Sequence, residues 1–208
     1  MAASDASNSL YSMRKTPKQE RSKATVEAIL AAAIQVLLAN GYDKASTYKI
    51  ADIAGVSIGS LYEYFPGKEA IYAEVQRKND RILFDHIMSQ PEPGSIRELI
   101  RSHTTANLAF VRQNLELHAA LINDVPQFAL GQQEFRAYRD YLPWASQYFE
   151  LHREELRQDV STDRIVEFTV RVIRSTIDNY VLYTPEQLND PVLEEMLIDL
   201  AERLVLRG

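Results

Sequence analysis

The sequence contains no cysteine among its 208 residues. It therefore has no disulfide framework, no thiolate nucleophile and no cysteine-bound zinc, which agrees with a reducing cytoplasm. The opening stretch, MAASDASNSLYSM, lacks the apolar core of a signal peptide. The most apolar run, at 28–39, is interrupted by Gln35 and is shorter than the ~20 residues that a membrane span requires. We therefore expect a cytoplasmic protein that does not cross a membrane.

An excess of positive charge is also missing, since the net charge is −6. That value alone argues against a nucleic-acid partner, but the charge is unevenly distributed. Residues 1–68 hold eight Lys or Arg against six Asp or Glu, whereas residues 69–208 hold fifteen against twenty-three. Five positive charges fall within 14–23. This stretch is either a solvated tail or a basic arm that touches DNA.

Strand signals are absent as well, and apolar residues recur at the spacing of helices throughout the chain. The pattern predicts an all-α fold. Pro91, Pro93 and Gly94 break the pattern between the fourth and fifth predicted helices. The predicted helices cover 22–39, 47–54, 57–65, 67–88, 95–112, 114–123, 132–157, 162–183 and 191–206.

The pentapeptide GVSIG at 55–59 has two interpretations. It fits G-x-S-x-G, which would make Ser57 the nucleophile of a serine hydrolase. That motif follows a buried strand, however, and Lys49 and Asp52 lie where such a strand should be apolar. In a helix-turn-helix, Gly55 permits the turn and Ser57 caps the second helix. A plain helical hairpin with an exposed polar face also fits the spacing.

Residues 22–72 resemble the DNA-binding head of the TetR family of bacterial transcription regulators. The likeness lies in T-x-x-I-A-x-x-A-G-V-S at 47–57 and in GSLYEYFPGKEA at 59–70. The remaining helices match the family in length, helicity and placement. The resemblance implies a helix-turn-helix head followed by a helical effector-binding and dimerisation domain. The expected divisions are a flexible basic arm at 1–20, the head at 21–67, a connecting helix at 68–90 and the effector domain at 91–208.

The resemblance also implies a function. A homodimer would bind a palindromic double-stranded DNA operator and act as a repressor that a small-molecule effector releases. We expect no enzymatic activity, no catalytic residue, no cofactor and no metal site. The roles carried over by position are phosphate contacts at Thr47, Tyr62 and Lys68, base-facing positions at Ile58, Gly59, Ser60 and Tyr64, and the start of the recognition helix at Ser57. Gly59, Ser60, Tyr62 and Tyr64 are expected on its outward side.

The effector site is predicted from an aromatic run at 128–149 and from polar residues upstream of it. A mostly apolar pocket with a few hydrogen-bonding groups is typical of a ligand site, so we expect a largely apolar or aromatic effector. Aromatic residues at helical spacing also fit a simple core. The candidate pocket residues are His103, Asn107, His118, Phe128, Tyr138, Tyr141, Trp144 and Tyr148.

The helices at 162–183 and 191–206 are apolar over more than one narrow stripe. We therefore expect them to pair with their counterparts in a second chain as a four-helix bundle, with Leu197 and Leu200 in the contact. The pairs Glu167–Arg171 and Arg174–Asp178 have i, i+4 spacing and fit surface salt bridges.

Overall fold

A computed structural model describes residues 11–125 and 134–207, with side chains described for all of them except 134–140. Within these residues the regular structure is helical, and only one isolated β-bridge occurs, between Leu156 and Leu206. The α-helices are α1 Glu20–Asn40, α2 Thr47–Ala54, α3 Ile58–Tyr64, α4 Lys68–Met88, α5 Ile96–Gln113, α6 Leu115–Asn123, α7 Glu134–Leu151, α8 Thr162–Tyr183 and α9 Pro191–Val205. The predicted all-α fold is confirmed.

The chain divides into two compact units. The first holds the described residues up to Asn79 together with 120–125 and Glu134, and the second holds 80–119 and 135–207. The helix predicted at 67–88 is present as the continuous 21-residue α4, and the division falls within it.

In the first unit, helices α1, α2 and α3 form the head. Helix α1 buries one side in the head core, and Gly41 ends it in a conformation with a φ of 72°. The Ser46 side chain caps α2 by accepting a hydrogen bond from the Lys49 N–H. Gly55 then adopts the left-handed conformation, with a φ of 66°, which only glycine takes without strain. This residue turns the chain from α2 into α3.

Helix α1 is long and apolar enough to cross a membrane by length and composition alone. The apolar length estimated from the sequence was therefore too short. Ile29, Ala33 and Val36 of this helix are completely buried, and the buried hydroxyl of Tyr72 donates to the Ala33 carbonyl. Its apolar side is thus the core of the head.

In the second unit, α9 packs against both α5 and α8. Arg101 of α5 forms an ion pair with Glu195 of α9 at 2.9 Å, and Arg97 pairs with Glu202. The single helix predicted at 132–157 is wrong at its end, because α7 stops at Leu151 and a short 3-10 helix follows at Arg153–Glu155. The chain leaves the helical path there to bury Leu156 completely.

The apolar surface of α8 and α9 differs from the sequence-based expectation at particular positions. Leu197 is buried within the unit, with 2% of its surface exposed, and Leu200 is half-buried. The exposed large apolar or aromatic side chains are instead Phe168 and Tyr183 of α8, at 57% and 73%, and Val192 and Met196 of α9, at 60% and 61%. The prediction that Leu197 lies on an exterior contact face is wrong.

Candidate nucleic-acid interface and effector cavity

Ser57 caps the amino end of α3. Its Oγ accepts a hydrogen bond from the Ser60 N–H at 3.0 Å and lies 2.8 Å from the Ser60 hydroxyl. The preceding element is helix α2 and not a buried strand. A nucleophile elbow needs that strand, so the interpretation of Ser57 as a hydrolase nucleophile is wrong.

The exposed side of α3, the predicted recognition helix, carries Gly59 and Glu63. Ser57 and Gly59 are exposed, and Ile58, Ser60 and Tyr62 are half-buried. A methyl group added to Gly59 would touch only the Ser57 Oγ, at 3.8 Å. This side of the helix is therefore open to close approach by another molecule.

Tyr64 does not lie on that outward side. Its side chain is buried, with 7% of its surface exposed, and the Lys15 ammonium lies 6.0 Å from the centre of its ring. The expectation that it faces outward is wrong, because the last turn of α3 directs this ring into the head. A role for Tyr64 in base preference stays a prediction.

Two of the predicted phosphate contacts are neighbours. The Thr47 hydroxyl, at the start of α2, lies 3.1 Å from the Tyr62 hydroxyl of α3. Lys68, the third, begins α4 and donates from Nζ to the carbonyls of Tyr42 at 3.0 Å and Ala45 at 3.3 Å. Its ammonium also lies 4.2 Å from the centre of the Tyr42 ring. Lys68 therefore holds the α1–α2 loop, and a phosphate would share an ammonium that already has two acceptors.

Residues 11–19 lie against the head. The Arg14 backbone N–H donates to the Tyr64 carbonyl at 2.8 Å, and its guanidinium donates to the Tyr62 carbonyl at 3.0 Å. The last carbonyls of a helix have no partner within the helix, and these bonds satisfy two of them in α3. The sequence indicated positive charge in this segment, but charge alone did not indicate that Arg14 caps the carboxy end of α3.

Tyr48 is a candidate contact that the sequence analysis missed. It follows Thr47 at the start of α2, and 70% of its surface is exposed. A tyrosine this exposed beside a predicted phosphate contact has a hydroxyl available for a further one. The available signal was a large aromatic residue two positions after a helix cap.

The second unit contains a cavity of about 850 Å³, including its open mouth. Side chains of α4, α5, α7, α8 and α9 line it, and most of them are apolar. Its polar lining groups are Asp80, His103, Thr104, Asn107, Tyr141, Thr169 and Arg174.

The cavity brings together some of the predicted pocket residues. His103, Asn107 and Tyr141 line it, and His103 Nδ1 lies 3.0 Å from the Tyr141 hydroxyl. His118, Trp144 and Tyr148 are not among its lining residues. Trp144 stacks instead on Tyr148, with ring centres 5.7 Å apart, and both side chains are half-buried. Of the other candidates, Phe128 and the side chain of Tyr138 lie outside the described residues.

A charged network borders the cavity. Arg174 lies 3.6 Å from Asp80 and 3.2 Å from Asp178, and His118 Nε2 lies 2.9 Å from Asp178. These side chains are between 3% and 20% exposed, so the prediction of a surface pair at Arg174 and Asp178 is wrong. Burial raises the pKa of the Asp178 carboxyl, but the His118 hydrogen bond and the Arg174 charge outweigh it and hold the pKa below its usual value. The network was missed because Asp80 and His118 are distant in sequence.

His103 should make the second unit less stable in acid. Burial lowers the pKa of His103 to about 4, from an ordinary value of 6.5. The unfolded chain therefore binds the proton first as the pH falls below 6.5, and stability is lost between there and pH 4. We expect a loss of about 2 kcal/mol by pH 5.

The measurement is urea unfolding at pH 7 and pH 5, followed by circular dichroism. His103→Gln cannot take up the proton, so its loss between the two pH values should be smaller by about that amount. An equal loss in both proteins would contradict the assignment.

The arrangement of α1, α2 and α3 is that of a helix-turn-helix DNA-binding protein. Residues 29–75 match the family model described as bacterial regulatory proteins, tetR family. The chain is 24% identical over 205 residues to the uncharacterized HTH-type transcriptional regulator YdeS of Bacillus subtilis (strain 168), covering 91% of this chain and 93% of the relative. Residues 29–75 thus form a TetR-type DNA-binding domain, and the chain is similar over most of its length to a transcription regulator.

Solved structures share the fold over most of the chain. The fatty acid degradation regulator FadR from Bacillus halodurans has a TM-score of 0.70 at 20% identity, with 89% of this chain and 96% of that one covered. NalD of Pseudomonas aeruginosa, the secondary repressor of the MexAB-OprM multidrug efflux pump, has a TM-score of 0.67 at 19% identity, with coverage of 91% and 99%.

Proposed function

We propose that this protein is a cytoplasmic homodimeric repressor, which leaves a palindromic operator when a small molecule binds in the cavity of its second unit. The observation that carries the proposal is the exposed, glycine-containing side of α3 beside the Thr47–Tyr62 pair. In this proposal α3 enters the major groove, and the two hydroxyls bind a phosphate of the DNA backbone. Ile58 contacts a thymine methyl, and DNA shape adds to specificity.

Gly59→Leu tests the interface directly. Leucine is a better helix former than glycine, and the space beside Gly59 is open, so the folded head should lose no stability. A side chain there should hold α3 away from the base edges. We expect operator affinity to fall by about tenfold or more, equivalent to at least ~1.4 kcal/mol.

The operator for this assay comes from sequencing genomic DNA fragments that the purified protein retains. Affinity is measured by fluorescence anisotropy, with Gly59→Ala as the smaller change and urea unfolding as the control for folding. Unchanged operator affinity in Gly59→Leu would contradict the placement of α3 in the groove.

Arg14→Ala should weaken specific binding through the position of α3. The guanidinium bond to the Tyr62 carbonyl is lost, and one such bond contributes about 1 kcal/mol. We expect operator affinity to fall about fivefold. Lys18→Ala is the matched control, because it removes the same charge from the same segment and Lys18 is exposed.

Salt dependence separates the two roles of Arg14. A residue that positions α3 leaves the salt slope equal in the two variants, whereas a lost phosphate contact reduces it by ~1 per subunit. Equal affinity of Arg14→Ala and Lys18→Ala would contradict the positioning role.

Coupling between ligand and DNA is proposed to run through α4. This helix begins at Lys68 beside the head loops, and its later residues Leu83, Phe84 and Ile87 line the cavity. Two recognition helices fit successive major grooves only at a separation of ~34–36 Å. A ligand that favours another separation releases the DNA, and operator then weakens ligand binding by the same factor.

A further inference from the structure

The polar groups of the cavity indicate the chemical class of its ligand. We propose that the cavity binds an uncharged, mostly apolar molecule whose hydroxyl or carbonyl oxygen is held by Thr169 and the polar side chains near it. This inference rests on the proposed effector site and adds the class of ligand to it.

The charges that line the cavity are already paired. Among the described lining residues, Asp80 and Arg174 are the oppositely charged side chains, and they lie 3.6 Å apart. Arg174 also pairs with Asp178. A carboxylate ligand would have to compete with two aspartates for Arg174, and an ammonium ligand would have to compete with Arg174 for Asp80. A charge that loses its water without gaining a partner is strongly disfavoured.

Thr169 supplies a polar group that the protein leaves unsatisfied. Its side chain is 8% exposed and lines the cavity, and its buried Oγ1 has no hydrogen-bond partner among the residues that the structure describes. A buried hydroxyl without a hydrogen-bond partner is unfavourable. Thr in a helix populates two χ1 rotamers, so rotation about χ1 can turn this hydroxyl toward the cavity, where a bond to a ligand oxygen removes the penalty. A hydroxyl both donates and accepts, so it can bond a ligand alcohol or carbonyl.

The neighbouring lining groups are also neutral. Asn107 offers an amide, Thr104 a hydroxyl, and His103 an imidazole whose Nδ1 faces the Tyr141 hydroxyl. Burial lowers the pKa of His103, so the imidazole is uncharged at neutral pH. The remaining wall is aliphatic and aromatic, including Leu83, Ile100 and Val170. Such a site orients one oxygen atom and surrounds an apolar body.

The test compares three probes with the same ten-carbon chain: 1-decanol, decanoate and decylamine. Each displaces the neutral fluorophore N-phenyl-1-naphthylamine from the full-length protein at pH 7. We expect 1-decanol to displace it at a concentration at least tenfold lower than either charged probe. Equal or better displacement by decanoate or decylamine would overturn the inference, and so would failure of 1-decanol to displace the fluorophore.

The variant Thr169→Val tests whether 1-decanol binds at the Thr169 hydroxyl. It keeps the shape of the side chain and removes the hydroxyl, so the affinity for 1-decanol should fall about fivefold to tenfold while that for the fluorophore is unchanged. Thr176→Val on the same helix is the matched control, because the Thr176 hydroxyl already donates to the Val172 carbonyl. Equal 1-decanol affinity in the two variants would overturn the role of Thr169.

Operator binding without any probe is measured on the same preparations. If the protein binds the operator but does not prefer 1-decanol to decanoate and decylamine, the proposed ligand class is refuted and the proposed regulator is not. A wild-type protein that retains no genomic DNA refutes the proposed regulator instead, and the two failures are thereby distinguishable.

Discussion

Replacing Met196 with glutamate should convert the protein to a monomer and abolish operator binding at nanomolar to micromolar concentrations. Met196 is 61% exposed on α9, and Phe168 on the adjacent α8 is 57% exposed. Large apolar side chains that stay exposed on two packed helices indicate a surface that a partner covers. In a four-helix bundle with a second chain, the glutamate would be buried without a partner.

The expected size of the effect on dimerisation follows from the loss of water around the buried glutamate. An uncompensated buried charge costs several kcal/mol, so the dimer dissociation constant should rise by about 100-fold or more. Operator affinity should fall with it, because a monomer contacts only one half-site. Sedimentation at micromolar concentration measures the first effect, and anisotropy with operator DNA measures the second.

Two controls make the result specific. Leu151→Glu places the same charge on another exposed apolar side chain, a leucine that is 73% exposed at the end of α7, and should leave the dimer intact. Leu197→Glu should unfold the second unit, because Leu197 is 2% exposed within it. A Met196→Glu protein that sediments like the wild type would refute this dimer face.

The head could be predicted from sequence because its signals are local. Gly55 must supply a left-handed residue between two helices, and Ser57 must cap the second helix, so a short window contains the whole motif. Tyr64 shows the limit of such a window. Its position at the end of α3 predicted exposure, but contacts with the rest of the head, including Lys15 of the amino-terminal segment, decide its burial.

The cavity could be predicted only in part because distant segments form it. His103 and Tyr141 were identifiable as polar and aromatic candidates, but their 3.0 Å contact joins residues 38 positions apart. Trp144 and Tyr148 share the same helix and the same spacing, yet they stack on each other and do not line the cavity. Helical periodicity predicts which side of a helix faces inward. It does not distinguish residues that line a cavity from residues that pack against other side chains.

Arg174→Met should be the most destabilising single change in the charged network of the second unit. It leaves Asp80 and Asp178, which are 5% and 20% exposed, without the cation between them. Removing one partner from a buried charge cluster costs about 3–5 kcal/mol. The chain has a single tryptophan, Trp144, and it lies in the second unit, so urea unfolding followed by its fluorescence reports on this unit.

Arg171→Met is the matched control, because Arg171 pairs with Glu167 on the same helix at the same i, i+4 spacing while both side chains are about half exposed. Exposed pairs contribute little, so this change should cost within about 0.5 kcal/mol. Neutralising both carboxylates in Asp80→Asn/Arg174→Met/Asp178→Asn should restore much of the stability lost in Arg174→Met, because no carboxylate then stays buried without the Arg174 cation. If Arg174→Met costs no more than Arg171→Met, the network carries no desolvated charge, and the sequence-based interpretation of an ordinary surface pair is restored.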